Sequence, residues 1–146
     1  QMFNSILAAF DGSGGSEAAI KKAAELAILS GADLTVLTLY RHHSVLEGSM
    51  YAINAEQPDN IDDIMRDHAK EVAEHGASIA RQVGCENIRA FVKGGPTART
   101  IVSFSQEHEN DLIVMGSRGL GSIEGYLLGS VSHKVTSLST CPVLVV

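Results

Sequence analysis

The sequence has no tryptophan, and aromatic residues make up only 5% of its 146 positions. A surface that stacks successive bases needs more rings than that, so single-stranded nucleic acid is not an expected partner. Basic residues number 11 against 17 acidic ones, a net charge of −6, and the bases form no cluster along the chain. Duplex binding draws most of its strength from neutralised phosphates, so that class is set aside as well. Long apolar runs are missing. The longest are strand-sized, such as Leu112-Ile113-Val114-Met115, far short of the ~20 residues of a membrane helix. Cysteine is scarce: Cys85 and Cys141 stand at no metal-ligand spacing. They are expected as reduced, partly buried thiols, although the sequence leaves a disulfide between them open. No signal-peptide pattern opens the chain, and Gln1, ahead of Met2, is left outside the fold. A cytoplasmic location without membrane insertion is the expectation.

What is present is enough apolar material, 45%, for one sizeable core. The length suits a single domain over residues 2–146. Residues 3–10 read as a buried strand that stops at Asp11-Gly12-Ser13-Gly14-Gly15, a run of turn formers. A helix follows from Ser16 to about Ser30, with Ala19, Ala23, Leu26 and Ala27 on one face and Gly31 as its C-cap. Ser13 and Ser16 read as caps rather than phosphorylation sites. Residues 34–40 form a second strand.

From 42 to about 58 the pattern has no period and holds His42, His43, Gly48 and Pro58. A stretch this long is usually a functional or a disordered loop, and it is expected to order with ligand or in an oligomer. An amphipathic helix then runs from about Ile61 to Val83. Ile64, Ala69, Val72, Ala73, Gly76, Ile79, Ala80 and Val83 are assigned to its inner face. Asp59, Asp62, Asp63 and Asp67 suit its start.

Gly84 closes that helix, and residues 87–92 are the third strand. Gly94-Gly95-Pro96-Thr97 predicts a helix entry with proline at the first helical position. The helix itself runs from Ala98 to Glu107. Residues 112–115 make the fourth strand and 116–129 a glycine-rich stretch. Ser130 to about Ser139 is the last helix, with Val131, Val135 and Leu138 on one face. Cys141-Pro142 breaks it ahead of a final strand at 143–146. Strands that are continuous apolar runs, alternating with helices, indicate a parallel sheet covered on both faces.

Ligands of such sheets sit beyond the carboxyl ends of the strands. Two loops compete for that place, the one after strand 1 and the one after strand 4. The second is favoured. Five glycines, Gly116, Gly119, Gly121, Gly125 and Gly129, lie between a buried strand and a helix that opens at Ser130. Free N–H groups and the positive end of the dipole at that helix start suit phosphate. A Cβ at Gly119 or Gly129 is expected to crowd the phosphates or to strain a positive φ. Neither the P-loop pattern nor the dinucleotide Gly-x-Gly-x-x-Gly spacing is present.

Gly116-x2-Gly119-x9-Gly129-Ser130 matches the motif of the ATP-binding universal stress proteins, which the chain resembles throughout. The run Asp111 to Gly119 and the ending Cys141-Pro142-Val143-Leu144-Val145-Val146 carry the likeness too. The resemblance implies a Rossmann-like, three-layer α/β domain whose five-stranded parallel sheet has the order 3-2-1-4-5. It implies ATP, with Mg2+, as the ligand. By the same carry-over, Asp11 contacts the ribose and adenine end, and Leu39 packs on adenine. Met115 and Gly116 lie beside the ribose, and Arg118 and Gly119 around the phosphates. Gly129, Ser130 and Val131 present the helix start to those phosphates. One departure is the Gly-Ser-Gly-Gly after Asp11, richer in glycine than is usual in the family.

The histidines carry less. His42 and His43 read as a solvated loop pair, and His68, His75, His108 and His133 as surface residues, since a structural zinc site needs more ligands. No nucleophile–base–orienter set emerges, and Arg118 is the one evident cation beside the phosphate loop. The expected function is therefore a regulatory or stress-response protein, a slow ATPase at most, in which bound nucleotide controls conformation or oligomerisation. The resemblance adds a membrane transporter or a kinase as the partner. The alternatives are a slow ATP hydrolase and an AMP- or flavin-binding module of related fold. In the order 3-2-1-4-5 the last strand is an apolar edge, which invites pairing into a two-fold homodimer. Homotetramers also occur in the family.

Overall fold

The computed structural model describes residues 2–41, 59–118 and 128–146. Its elements alternate: β1 (Ser5–Ala9), α1 (Gly14–Ser30), β2 (Asp33–Tyr40), α2 (Asp59–Val83), β3 (Ile88–Gly94), α3 (Thr97–Glu107), β4 (Leu112–Met115), α4 (Ser130–Leu138) and β5 (Val143–Val145). The sheet has five strands in the order β3-β2-β1-β4-β5, and every pairing is parallel. This is the expected architecture. The loop expected from 42 to 58 lies outside the described residues, as does Gly119.

Register explains why the central strands are apolar at consecutive positions. Ile6 sits between Leu34 and Leu112, and Ala8 between Val36 and Val114. These side chains meet α1 and α2, packing on Ala19, Ala23, Ala27, Ala77 and Ala80. The alternate positions, Leu7, Leu37, Ile113 and Met115, meet Ala98, Ile101 and Phe104 of α3 and Val135 of α4. A strand buried on both faces has no polar phase, so period-two alternation vanishes.

Local signals fix the ends of α1. Ser13 is the N-cap, and its hydroxyl oxygen accepts the Ser16 N–H at 3.2 Å. Gly31 takes the left-handed conformation, φ 69°, while the Ala32 N–H reaches back to Ala27 O at 2.9 Å. At the amino edge of the sheet, the Asp111 carboxylate accepts the Asn4 and Ser5 N–H groups at 2.8 and 3.1 Å. That bond pair ties the start of β1 to the start of β4.

The structure departs from the sequence reading at three places. Ile64 is 66% exposed rather than inward. Arg66, half a turn further along α2, bonds the Tyr40 hydroxyl at the very end of β2. The first turns of α2 therefore overshoot the sheet, and burial begins only at Ala69. Leu138, in the last turn of α4, is 48% exposed and borders an open groove. Pro96 is the extended N-cap of α3, φ −61° and ψ 127°, and the first helical residue is Thr97. Both cysteines are free thiols. Cys85 is buried, and its desolvation raises the thiol pKa and keeps it protonated.

Gly76 is where α2 touches the sheet most closely. A Cβ there would stand 2.8 Å from Phe10 Cδ2 and 3.1 Å from Val36 Cγ1. Gly76→Ala gains about 1 kcal/mol of helix propensity, but the forced shift of a packed ring costs about 1–3 kcal/mol. Urea unfolding is expected to show a net loss of stability; a gain would mean that Phe10 yields without cost.

Candidate nucleotide site

β1 feeds α1 on one face of the sheet, and β4 feeds α4 on the other. The crossovers diverge between β1 and β4, and that divergence opens a crevice at the carboxyl edge. A cleft of about 260 Å³ lies there. Ala9, Phe10 and Asp11 reach it from β1, Leu39 from β2, and Met115, Gly116 and Arg118 from β4. Thr97 and Ile101 come from α3, and Gly129, Ser130, Val131 and Ser132 from the start of α4. Every described member of the set expected from sequence lines this one cleft. Ala9, Phe10, Thr97, Ile101 and Ser132 were not anticipated. Thr97 follows a recognisable helix entry, but its place beside the start of α4 is a tertiary fact that no local pattern carries.

Two glycines let the walls of the cleft touch. A Cβ on Gly116 would lie 2.8 Å from Gly15 C and 2.9 Å from Gly15 O. Conversely, a Cβ on Gly15 would lie 2.8 Å from Arg118 O. The extra glycine after Asp11 thus serves a backbone contact with β4's exit. Gly129 was expected to need a positive φ or to make room for phosphate. Its φ is −61°, which any residue adopts. Its constraint is steric, since a Cβ would meet Ser117 O at 3.0 Å.

Ser117 O is the centre of the local bonding. It accepts the Gly129 N–H at 2.6 Å and the Ser132 hydroxyl at 2.9 Å. The Ser117 N–H in turn donates to Val146 O at 2.9 Å, and the Val146 N–H donates to Met115 O at 2.9 Å. Direct bonds therefore hold the end of β4, the start of α4 and the residue after β5 in one arrangement.

Of the helix starts at the cleft, those of α1 and α4 differ electrically. That of α1 is satisfied internally: Ser13 caps Ser16, the Ser16 hydroxyl accepts the Asp11 N–H at 3.3 Å, and Asp11 Oδ1 accepts the Ser13 N–H at 2.9 Å. A carboxylate already stands there. The start of α4 has Gly129 as N-cap, no side-chain cap and no acid in its first turn. Its first N–H groups, which no side chain caps, and the positive end of its dipole act together on the cleft. Arg118 adds a cation that makes no ion pair among the described residues. Arg118 is the only basic residue lining the cleft among the described residues, and Arg41, Arg99 and Lys134 line an adjoining groove. The cleft's lining thus combines an acid, Asp11, a cation, Arg118, and the apolar side chains of Leu39, Ile101 and Met115.

The histidines stay out of this chemistry. His68, His75, His108 and His133 are exposed. His75 Nε2 lies 3.8 Å from Glu17 Oε1, and the His108 ring stacks on Phe104 at 3.8 Å. His42 and His43 lie outside the described residues. Among the described residues no group of three or more His, Cys, Asp or Glu side chains is placed to hold a metal ion, and no helix is long and apolar enough to cross a membrane.

The close approach at Gly116 gives a direct test. Gly116→Ala is expected to lower stability by about 1–3 kcal/mol, because two backbones must separate. Gly14→Ala, where nothing lies within 4 Å, is the control and should leave the melting temperature unchanged or raised.

Comparison with known proteins supplies a lineage for this geometry. Universal stress protein YxiE of Bacillus subtilis is 38% identical over 148 residues, covering 99% of both chains. A universal stress protein of Thermus aquaticus is 30% identical, again over 99% of both. Among solved structures, UspA from Lactobacillus plantarum superposes with a TM-score of 0.83 at 24% identity, covering 98% of this chain and 97% of its own. A universal stress protein crystallised with cAMP gives 0.73 at 27% identity, covering 100% and 98%. One from Archaeoglobus fulgidus, solved with dAMP, gives 0.69 at 26%, covering 99% and 98%. The universal stress protein family model matches residues 2–146. With the sheet order, the glycine spacing and the relatives all in agreement, the chain belongs to the universal stress protein family.

Proposed function

We propose that this chain binds ATP in the cleft between β1 and β4, as a regulator whose bound nucleotide controls conformation or assembly. The observation that carries the reading is the lining of the cleft. An uncapped helix start, the Arg118 cation and the Asp11 carboxylate line it together with the apolar Leu39 and Met115. A nucleotide has the matching groups. Its phosphates suit the N–H groups of Ser130 and Val131 beside Gly129 and Arg118. Its ribose hydroxyls donate to a carboxylate such as Asp11. Its base suits the apolar stretch at Leu39 and Met115, with Gly116 below the ribose. Gly119 completes the family pattern in the phosphate loop.

The relatives solved with cAMP and with dAMP support an adenine nucleotide. Both of those ligands carry a single phosphate, so AMP is the competing ligand, with flavin the more distant alternative. Mg2+ would accompany the triphosphate, held mainly by its oxygens and by water. Binding with slow hydrolysis at most is the mode we assign. Two free thiols suit a reducing, cytoplasmic setting. A membrane transporter or a kinase is the partner class taken from the family resemblance.

Mass spectrometry of ligand released from the purified protein separates ATP from AMP and flavin. In titration calorimetry, Gly129→Ala should weaken ATP binding by about 1–3 kcal/mol, because its Cβ displaces Ser117 O or the helix start. Wild-type affinity in that variant would count against the site.

Assembly through β5 belongs to the same proposal. β5 pairs with β4 on one side only, which leaves an apolar edge of Val143, Leu144 and Val145. Two such edges pair economically about a two-fold axis. Light scattering with ATP present should report a dimer or a tetramer, and Val145→Lys should shift it to monomer. A monomeric wild-type protein would end this part of the proposal.

A further inference from the structure

The cleft adjoins a second and wider groove of about 770 Å³, which it meets along Thr97, Ser130 and Val131. Arg41 from beyond the end of β2, Arg99 from the first turn of α3 and Lys134 from the second turn of α4 line it. No acidic residue lines it among the described residues. Two bases elsewhere pair with acids: Lys22 lies 3.2 Å from Glu25, and Arg81 3.7 Å from Glu74. Arg41, Arg99 and Lys134 make no ion pair among the described residues. On a chain of net charge −6, three unpaired cations around one groove run against the overall field and mark a place for an anion. The groove also has an apolar wall. Pro96, Ala98 and Leu138 form it, and Leu138 is the large side chain that the helical pattern assigned to the interior and that stands 48% exposed.

The geometry points to a dinucleoside polyphosphate as the ligand that fills cleft and groove together. This rests on the cleft being a nucleotide site. One nucleoside occupies the cleft, with its phosphates at the start of α4. Because Ser130, Val131 and Thr97 border both spaces, a phosphate chain that begins there continues past them into the groove. Arg41, Arg99 and Lys134 then face the distal phosphates. The second base lies on Leu138 and Pro96. A mononucleotide ends at the α4 start and leaves the groove's cations unused.

Titration calorimetry with ATP and with diadenosine tetraphosphate tests this. The wild-type protein should bind the dinucleotide roughly tenfold more tightly, the scale of a few part-exposed ion pairs. The preference should shrink as salt is raised. The double variant Arg99→Gln, Lys134→Gln should abolish it while ATP affinity stays within about twofold, since neither residue lines the cleft. Both side chains are exposed, so an unchanged melting temperature is the folding control, and Arg41→Gln repeats the test from another element. Equal affinities in the wild type, or a preference that survives the double variant, would overturn the inference. ATP binding without the preference overturns this inference alone, whereas no ATP binding overturns the nucleotide reading and this inference with it.

Discussion

The site depends on two backbones that touch with no side chain between them. Gly15 and Gly116 bring the turn after β1 against the exit of β4, at a distance that a single methyl group on either would violate. In an open parallel sheet the crevice between diverging crossovers is a topological given, but its width is not. Here the width is set at one contact. Bring larger residues to it and Arg118, Gly129 and the start of α4 move away from Asp11 and Phe10, and the lining residues no longer face one volume. The bonds to Ser117 O serve the same end, because they hold the start of α4 against the strand that the glycines have positioned.

Electrostatics then distinguishes two helix starts that look alike in sequence. Both α1 and α4 begin in a run of glycine and serine. The first is closed on itself, with Ser13, Ser16 and Asp11 satisfying one another. The second is left without a side-chain cap. A helix with glycine in place of a capping side chain gives up only a few tenths of a kcal/mol of its own stability. Such a deficit is tolerable where a ligand can supply the missing acceptors.

Much of this was legible in the sequence because it depends on local pattern. Apolar strand runs, the Gly31 stop and the glycine spacing before Ser130 each follow from short-range chemistry, and they located the sheet and the residues around its crevice. What was missed depends on reach. Periodicity gives the face on which Ile64 and Leu138 lie, but not how far the sheet extends beneath them. The letter Gly at position 129 fits a left-handed φ or a crowded neighbour equally well, and only coordinates distinguish the two. Thr97 and Ile101 enter the cleft from a helix whose sequence says nothing of β4, and the cations Arg41, Arg99 and Lys134 are scattered along the chain until the fold gathers them.

The path from Ser117 to Val146 has one more consequence. The same residue, Ser117, receives the start of α4 on its carbonyl and grips the residue after the edge strand with its N–H. An anion drawn to that helix start therefore acts on an element one peptide away from the sheet's open margin. Thermodynamic linkage makes such an arrangement reciprocal: whatever factor ligand contributes to association at the margin, association must return to ligand affinity. Occupancy would then report on protein concentration as much as on ligand concentration, and the molecule would behave as a coincidence detector for the two.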